Sequence, residues 1–309
     1  MKAIRIHEFG GPEVLKYEEA PKPTPGEGEV LIKVFACGVN PIDWKIRAGH
    51  AREKFPVNFP LIPGWDVSGE IEEVGSGVLN FRVGDEVYGK SDTKRNGAYA
   101  EFVVVTTGVI NAKPKSIDHE KAAAIPLAGL TAWQALFDHG HLKARQKVLI
   151  HAASGGVGSY AVQFAKWKGA YVIGTSSEKN IDFLYELGAD EVIDYGNEKF
   201  VKELKNIDLV IDLVGGDTQK RSLAVITRGG RMVTTVKPEV EKEASRQEKE
   251  LKGFLAVSLP EQLQQIADLI DSGKVKPVVS EILPLKEAAR AHTKSEKGHT
   301  RGKIILKVI

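Results

Sequence analysis

The spacing of apolar and polar residues changes twice along the chain. From Met1 to about Lys115, segments such as "KAIRIHEF", "EVLIKVFACGV", "VSGEIEEVG", "DEVYG" and "YAEFVVV" are short, alternating or apolar, and are separated by Gly and Pro. That rhythm predicts mostly antiparallel β-structure. From about Asp118 to Leu283, the short apolar runs "KVLIHAA", "AYVIGTS", "EVIDY", "LVIDLVGG" and "GRMVTTV" alternate with helical stretches. Continuous apolar strands between helices predict a parallel, doubly wound sheet. The last segment, "GKIILKVI", is a strand again and resembles the first region in composition. The chain therefore divides into a β-rich domain over 1–120, completed by 284–309, and an α/β domain over 121–283. The charged stretch "KPEVEKEASRQEKE" reads as a solvated loop and helix face.

The turn between "KVLIHAA" and "AYVIGTSS" is rich in glycine: Ser154, Gly155, Gly156, Val157 and Gly158 open a helix whose apolar residues Val157, Tyr160, Ala161, Phe164 and Ala165 recur at helical spacing. Backbone N–H groups at a helix N-terminus favour an anion, and missing β-carbons let a pyrophosphate approach the main chain. Ala153 stands in the first glycine place of G-x-G-x-x-G, and Gly155 and Gly158 fill the other two. A tight strand-to-helix turn without a ligand would use the same glycines, but two flanking buried strands favour the phosphate site. NAD sites usually carry Asp or Glu at the end of the following strand, where this chain has Ser176. Ser177, Lys179 and Asn180 follow and suit the 2′-phosphate of NADPH, although Glu178 opposes it.

Composition narrows the function classes. Of 309 residues, 42% are hydrophobic and 27% charged, which is ordinary for a globular protein of two domains. The net charge of +2, from 43 basic and 41 acidic residues, gives no strong field for nucleic acid or for an anionic membrane. Cys37 is the only cysteine, so no intrachain disulfide can form, and a reducing cytoplasm is expected. The N-terminal "MKAIRIHEFGG" lacks the apolar core of a signal peptide, and no apolar run is long enough to span a bilayer.

Several motifs in order, "ACGVNPIDWKIRAG", "PGWDVSGEIEEVGSGVLNFRVGDEVYG", "GAYAEFVVV", "LAGLTAWQAL", "AASGGVG", "LGADEVIDY" and "GHTRGKIIL", make the whole chain resemble the medium-chain dehydrogenase/reductase superfamily. The resemblance implies an α/β fold with a β-rich, GroES-like N-terminal domain and a doubly wound parallel Rossmann sheet. Within the superfamily the chain is similar to the zinc-free quinone oxidoreductases related to zeta-crystallin, and to the alkenal and enone reductases that share the "NPxDxK" form of the first motif. It further implies that Tyr195 packs near the adenosine phosphate, that Val214 and Gly215 run beside the nicotinamide half, and that His299 and Thr300 lie near the nicotinamide.

Zinc alcohol dehydrogenases place Cys where this chain has Asn40, and a His-Glu pair where it has Trp65 and Asp66. Neither Asn nor Trp replaces a thiolate or imidazole on zinc, and one cysteine cannot build the family's structural zinc lobe, so no metal is expected. Without zinc, another group must stabilise charge on the acceptor oxygen as hydride arrives. Lys45, in the "DWK" triplet, is the candidate, serving either the enolate oxygen or the cofactor. Asn40 is expected to donate to substrate or nicotinamide ribose, Asp43 to orient its loop, and Trp44, Phe55 and Trp65 either to wall a flat substrate or to belong to the core. The expected function is NADPH-dependent reduction of quinones or α,β-unsaturated carbonyls by a homodimer, joined at the sheet edge near "RMVTTV". The alternative is a low-turnover NADPH-binding redox sensor or structural partner.

Overall fold

Glu29–Val39 is the longest strand, and its Val30, Leu31, Ile32 and Val34 are fully buried. A run apolar at consecutive positions suits a strand covered on both faces, and this one becomes the spine of a sheet. A computed structural model describes residues 1–92, 94–197 and 204–309. The chain folds into two compact units, Met1–Leu127 with Ser258–Ile309, and Ala128–Val257.

In the first unit β1 (Lys2–Arg5) and β2 (Lys16–Glu19) form an antiparallel ribbon. The spine β3 (Glu29–Val39) pairs antiparallel with β4 (Asp66–Val74) and β6 (Phe102–Thr106). β5 (Glu86–Lys90) pairs with β4, and β7 (Ile110–Ala112) pairs with β5.

The second unit holds β8 (Lys147–Ile150), β9 (Tyr171–Ser176), β10 (Glu191–Asp194), β11 (Ile207–Asp212), β12 (Ile226–Thr234) and β13 (Glu250–Gly253). All are parallel, in the order β10-β9-β8-β11-β12-β13. The order reverses between β8 and β11, the switch point where open parallel sheets bind ligands beyond the carboxyl ends of their strands. The chain then returns to the first unit, where β14 (Val279–Pro284) lies parallel to β15 (Lys303–Lys307) and β15 pairs antiparallel with β3.

Two expected bounds differ from the structure, and the sheet edge near "RMVTTV" is one strand further out. The return to the first unit begins at Ser258, earlier than 284. The helix Pro260–Asp271 is tied there: Tyr88 Oη donates to Leu263 O at 2.6 Å, Asn111 Nδ2 to Pro260 O at 2.8 Å, and Ser116 Oγ to Asp271 at 2.7 Å. The other boundary falls at Leu127, later than 120, because the helix His119–Ala122 is held to β4 through Ser68 and His119, 2.8 Å apart. Finally, "RMVTTV" is not a free edge. β13 covers β12, with Met232 opposite Leu251, so the outer strand on that side is Glu250–Gly253. The stretch "KPEVEKEASRQEKE" supplies the helix Glu241–Arg246 and the first residue of β13. Among the described residues no helix is long and apolar enough to cross a membrane.

Candidate active site and its polar centre

In the second unit, the strand β8 ends at Ile150 and the helix Gly156–Trp167 begins after a turn in which Ala152 adopts a left-handed conformation, φ 50°. Glycine is required at 158: a β-carbon there would lie 2.4 Å from Ala152 O and 2.6 Å from Ala153 Cα, so the helix could not seat against the turn. The helix is twelve residues long and no side chain caps it at Gly155. A β-carbon at Gly155 would meet only Ala152 O, at 3.3 Å, so that side of the turn is open. An uncapped helix N-terminus with an open glycine face after a central parallel strand fits the pyrophosphate of a dinucleotide.

The neighbouring strand end is tied to this turn. Asn180, buried, donates from Nδ2 to Ser154 Oγ and to Ser177 Oγ, both at 3.2 Å. Ser176 is 1% exposed and donates its hydroxyl to Ser177 O at 3.1 Å, leaving half-buried Ser177 and exposed Lys179 as the outward-facing groups. Tyr195 is 47% exposed just beyond β10, and Val214 is 53% exposed beyond β11.

Asp212, unmarked by the sequence reading, builds the turn that carries Val214 and Gly215. Its Oδ1 accepts from Val214 N at 3.1 Å and Gly215 N at 2.9 Å, and its Oδ2 from Gln219 Nε2 at 2.8 Å and Thr234 Oγ1 at 2.7 Å. An Asp accepting from the backbone two residues on, before a glycine, is an Asx-turn signal that "DLVGG" contains.

In the first unit, the capped helix Pro41–Arg47 carries Asp43, Trp44 and Lys45. Asn40 precedes it and donates its backbone N–H to Asp43 Oδ2 at 2.8 Å, the loop-orienting role expected of that carboxylate. Asp43 is fully buried and also accepts from Tyr99 Oη at 2.9 Å. Burial raises it to about 7, against the pull of those two hydrogen bonds and of the Lys303 charge. Among the described residues its Oδ1 has no hydrogen-bond partner. Lys45 is half-buried, with Nζ 5.6 Å from the centre of the Trp44 ring.

Asn40 sits at the middle of a buried polar centre. Its Nδ2 donates to Asp66 Oδ2 at 2.8 Å, and its Oδ1 accepts from Lys303 Nζ. The Lys303 ammonium also donates to Val39 O at 2.9 Å and to Asp66 Oδ2 at 3.2 Å, while Asp66 Oδ1 accepts from Leu127 N at 2.8 Å. Three oxygens thus take the three N–H bonds of a lysine only 4% exposed. The amide of Asn40 is fixed, oxygen toward Lys303 and nitrogen toward Asp66, with one N–H still to donate. The Lys303 ammonium sits buried between Asn40 and Asp66, and Trp65 is fully buried core. Phe55 packs against that same core. His299, exposed with φ 62°, and Thr300 precede β15 in this unit.

A GroES-like β-unit, a doubly wound unit with an open glycine turn, and Asn40 and Trp65 in place of a thiolate and an imidazole define a zinc-free medium-chain dehydrogenase/reductase. Residues 26–115 match the family described as "Alcohol dehydrogenase GroES-like domain", and residues 187–306 that described as "Zinc-binding dehydrogenase". The chain is 38% identical to the "Chloroplast envelope quinone oxidoreductase homolog" of Arabidopsis thaliana, over 99% of this chain and 98% of that protein. It is 36% identical to "NAD(P)H oxidoreductase RTN4IP1, mitochondrial" of Danio rerio, over 100% and 92%. The quinone oxidoreductase structure from Coxiella burnetii superposes with a TM-score of 0.94 at 38% identity, covering 100% of this chain and 99% of that one. The chain belongs to the zinc-free quinone oxidoreductase group of the superfamily and is an NAD(P)H-dependent oxidoreductase.

Proposed function

We propose that the protein is an NADPH-dependent, zinc-independent reductase that transfers hydride to quinones or to α,β-unsaturated carbonyls. The observation that carries this reading is the Asn40 amide, oriented by Asp66 and Lys303 so that a remaining N–H can meet an acceptor oxygen or a ribose hydroxyl. Quinone reduction accords with the names of the Arabidopsis and Coxiella relatives. Bound NADPH supplies the hydride. Ser154, Gly155, Gly156, Val157 and Gly158 hold its pyrophosphate, Ser176, Ser177, Lys179 and Asn180 its adenosine ribose phosphate, and Tyr195, Val214, Gly215, His299 and Thr300 flank the rest. The test is a panel of quinones, 2-alkenals and enones with each nucleotide. Turnover of quinones or enones is expected, and NADPH binding without turnover of any acceptor overturns the reading in favour of a sensor.

Preference for NADPH follows from the missing carboxylate at Ser176 and from exposed Lys179. Lys179→Ala should weaken NADPH about tenfold, the scale of one charged hydrogen bond, and leave NADH nearly unchanged. Equal dissociation constants of the unmodified protein for the two nucleotides in calorimetry would remove this preference.

We also propose a cytoplasmic homodimer paired through the outer strand Glu250–Gly253. An exposed strand edge presents unpaired backbone groups, and joining two such edges about a twofold axis satisfies them. Light scattering at micromolar concentration should give twice the 33.7 kDa chain mass. A monomeric mass contradicts it.

A further inference from the structure

Reducing a quinone to a hydroquinone takes a proton besides the hydride, and the groups of the buried polar centre do not deliver it. Asn40 is no acid. Lys303 has all three N–H bonds committed, and Asp43 is fully buried under Tyr99 and the Asn40 backbone.

A further titratable group that is not fully buried lies on the neighbouring strand. Lys90 ends β5 directly opposite Asp66 in the antiparallel register. Residues so paired project from the same face with β-carbons about 4.5–5.5 Å apart. The lysine therefore leaves its strand on the same face as Asp66, whose carboxylate holds Asn40 and Lys303. Those three partners are at most 4% exposed, whereas Lys90 is half-buried and open to solvent. Among the described residues its ammonium makes no hydrogen bond or ion pair.

We propose that Lys90 is a catalytic acid for the acceptor oxygen. The two electrons of the hydride reduce the quinone to a hydroquinone anion. An N–H bond of the Lys90 ammonium breaks, the O–H bond of the hydroquinone forms, and the neutral amine regains its proton from solvent. An enone is served in the same way at its enolate oxygen. The inference rests on the reading that a carbonyl acceptor binds beside Asn40. The charged groups that act on Lys90 are Asp66 on β4 and Asp92 beyond β5, and Asp66 is in turn paired with Lys303 on β15. Burial lowers Lys90 from the ordinary lysine value, while Asp66 and Asp92 pull it back up. Its proton leaves more readily than that of an exposed lysine. The protonated form is the active one, so kcat falls as pH rises through that lowered value.

The experiment is the kcat–pH profile of Lys90→Met, Lys90→Gln and Lys90→Arg beside Asn40→Ala, with NADPH affinity measured by fluorescence and folding by circular dichroism. Two neutral variants are used so that one folded protein is available. Lys90→Met or Lys90→Gln should lower kcat about 10²-fold, the lower range for a lost general acid, and abolish the alkaline limb without changing NADPH affinity. Lys90→Arg should restore part of the rate but not the limb, since guanidinium does not deprotonate there. An unchanged kcat in the neutral variants with an impaired Asn40→Ala overturns the role of Lys90 alone. A lowered kcat with the limb intact, or a loss confined to NADPH affinity, overturns it too. If Asn40→Ala and the neutral variants are all unimpaired, the acceptor site itself has been misplaced.

Discussion

Lys303→Met is expected to cost about 3–5 kcal/mol of stability, the range for removing one partner of a buried ion pair. Asp66 has no exposure, and on losing the ammonium it would keep only the Asn40 and Leu127 donors for a full negative charge. The neutral double variant Lys303→Met with Asp66→Asn should recover most of the loss, because it leaves no unpaired charge in the interior. Urea denaturation checks both. The single variant should move the midpoint strongly down and the double variant should return it toward the starting value. Equal midpoints for Lys303→Met and the unmodified protein would mean that the pair is not buried as described.

That pair also marks where the sequence stops being legible. The strands of both units follow from apolar runs, and Glu29–Val39 is a strand over the whole of "EVLIKVFACGV". The glycine turn is local, so five consecutive residues announce it. The Lys303 contact with Asn40 spans 263 residues and exists only because β15 pairs with β3. Read along the chain, Lys303 is one basic residue before an apolar run. Lys90 gains meaning in the same way, from a register that sets it opposite Asp66. The helix Pro260–Asp271 misleads for a related reason: it has the apolar stripe of any packed helix, and its stripe does not say which unit it will cover. Trp65 shows the limit of residue type, since an aromatic in a functional motif turned out to be core.

Lys45→Met should lower the catalytic rate for enones by about 10²-fold, the scale for losing one charge-stabilising donor at a developing oxyanion. The helix Pro41–Arg47 projects Lys45 two residues after Asp43, whose hydrogen bond from Asn40 fixes the start of that helix. The Trp44 ring beside Nζ limits the directions the ammonium can take. If Lys45 acts on the acceptor, NADPH affinity stays constant and kcat falls. Quinones, which accept electrons more readily, lose less than enones. If Lys45 instead holds the cofactor, the same substitution weakens NADPH while the rate at saturation is kept, because only contacts that strengthen in the transition state change the chemical step. Stopped-flow hydride transfer at saturating NADPH, with affinity measured separately, tells the two apart. A variant unchanged in both measurements returns Lys45 to the solvated surface and leaves the acceptor oxygen to Asn40 and Lys90.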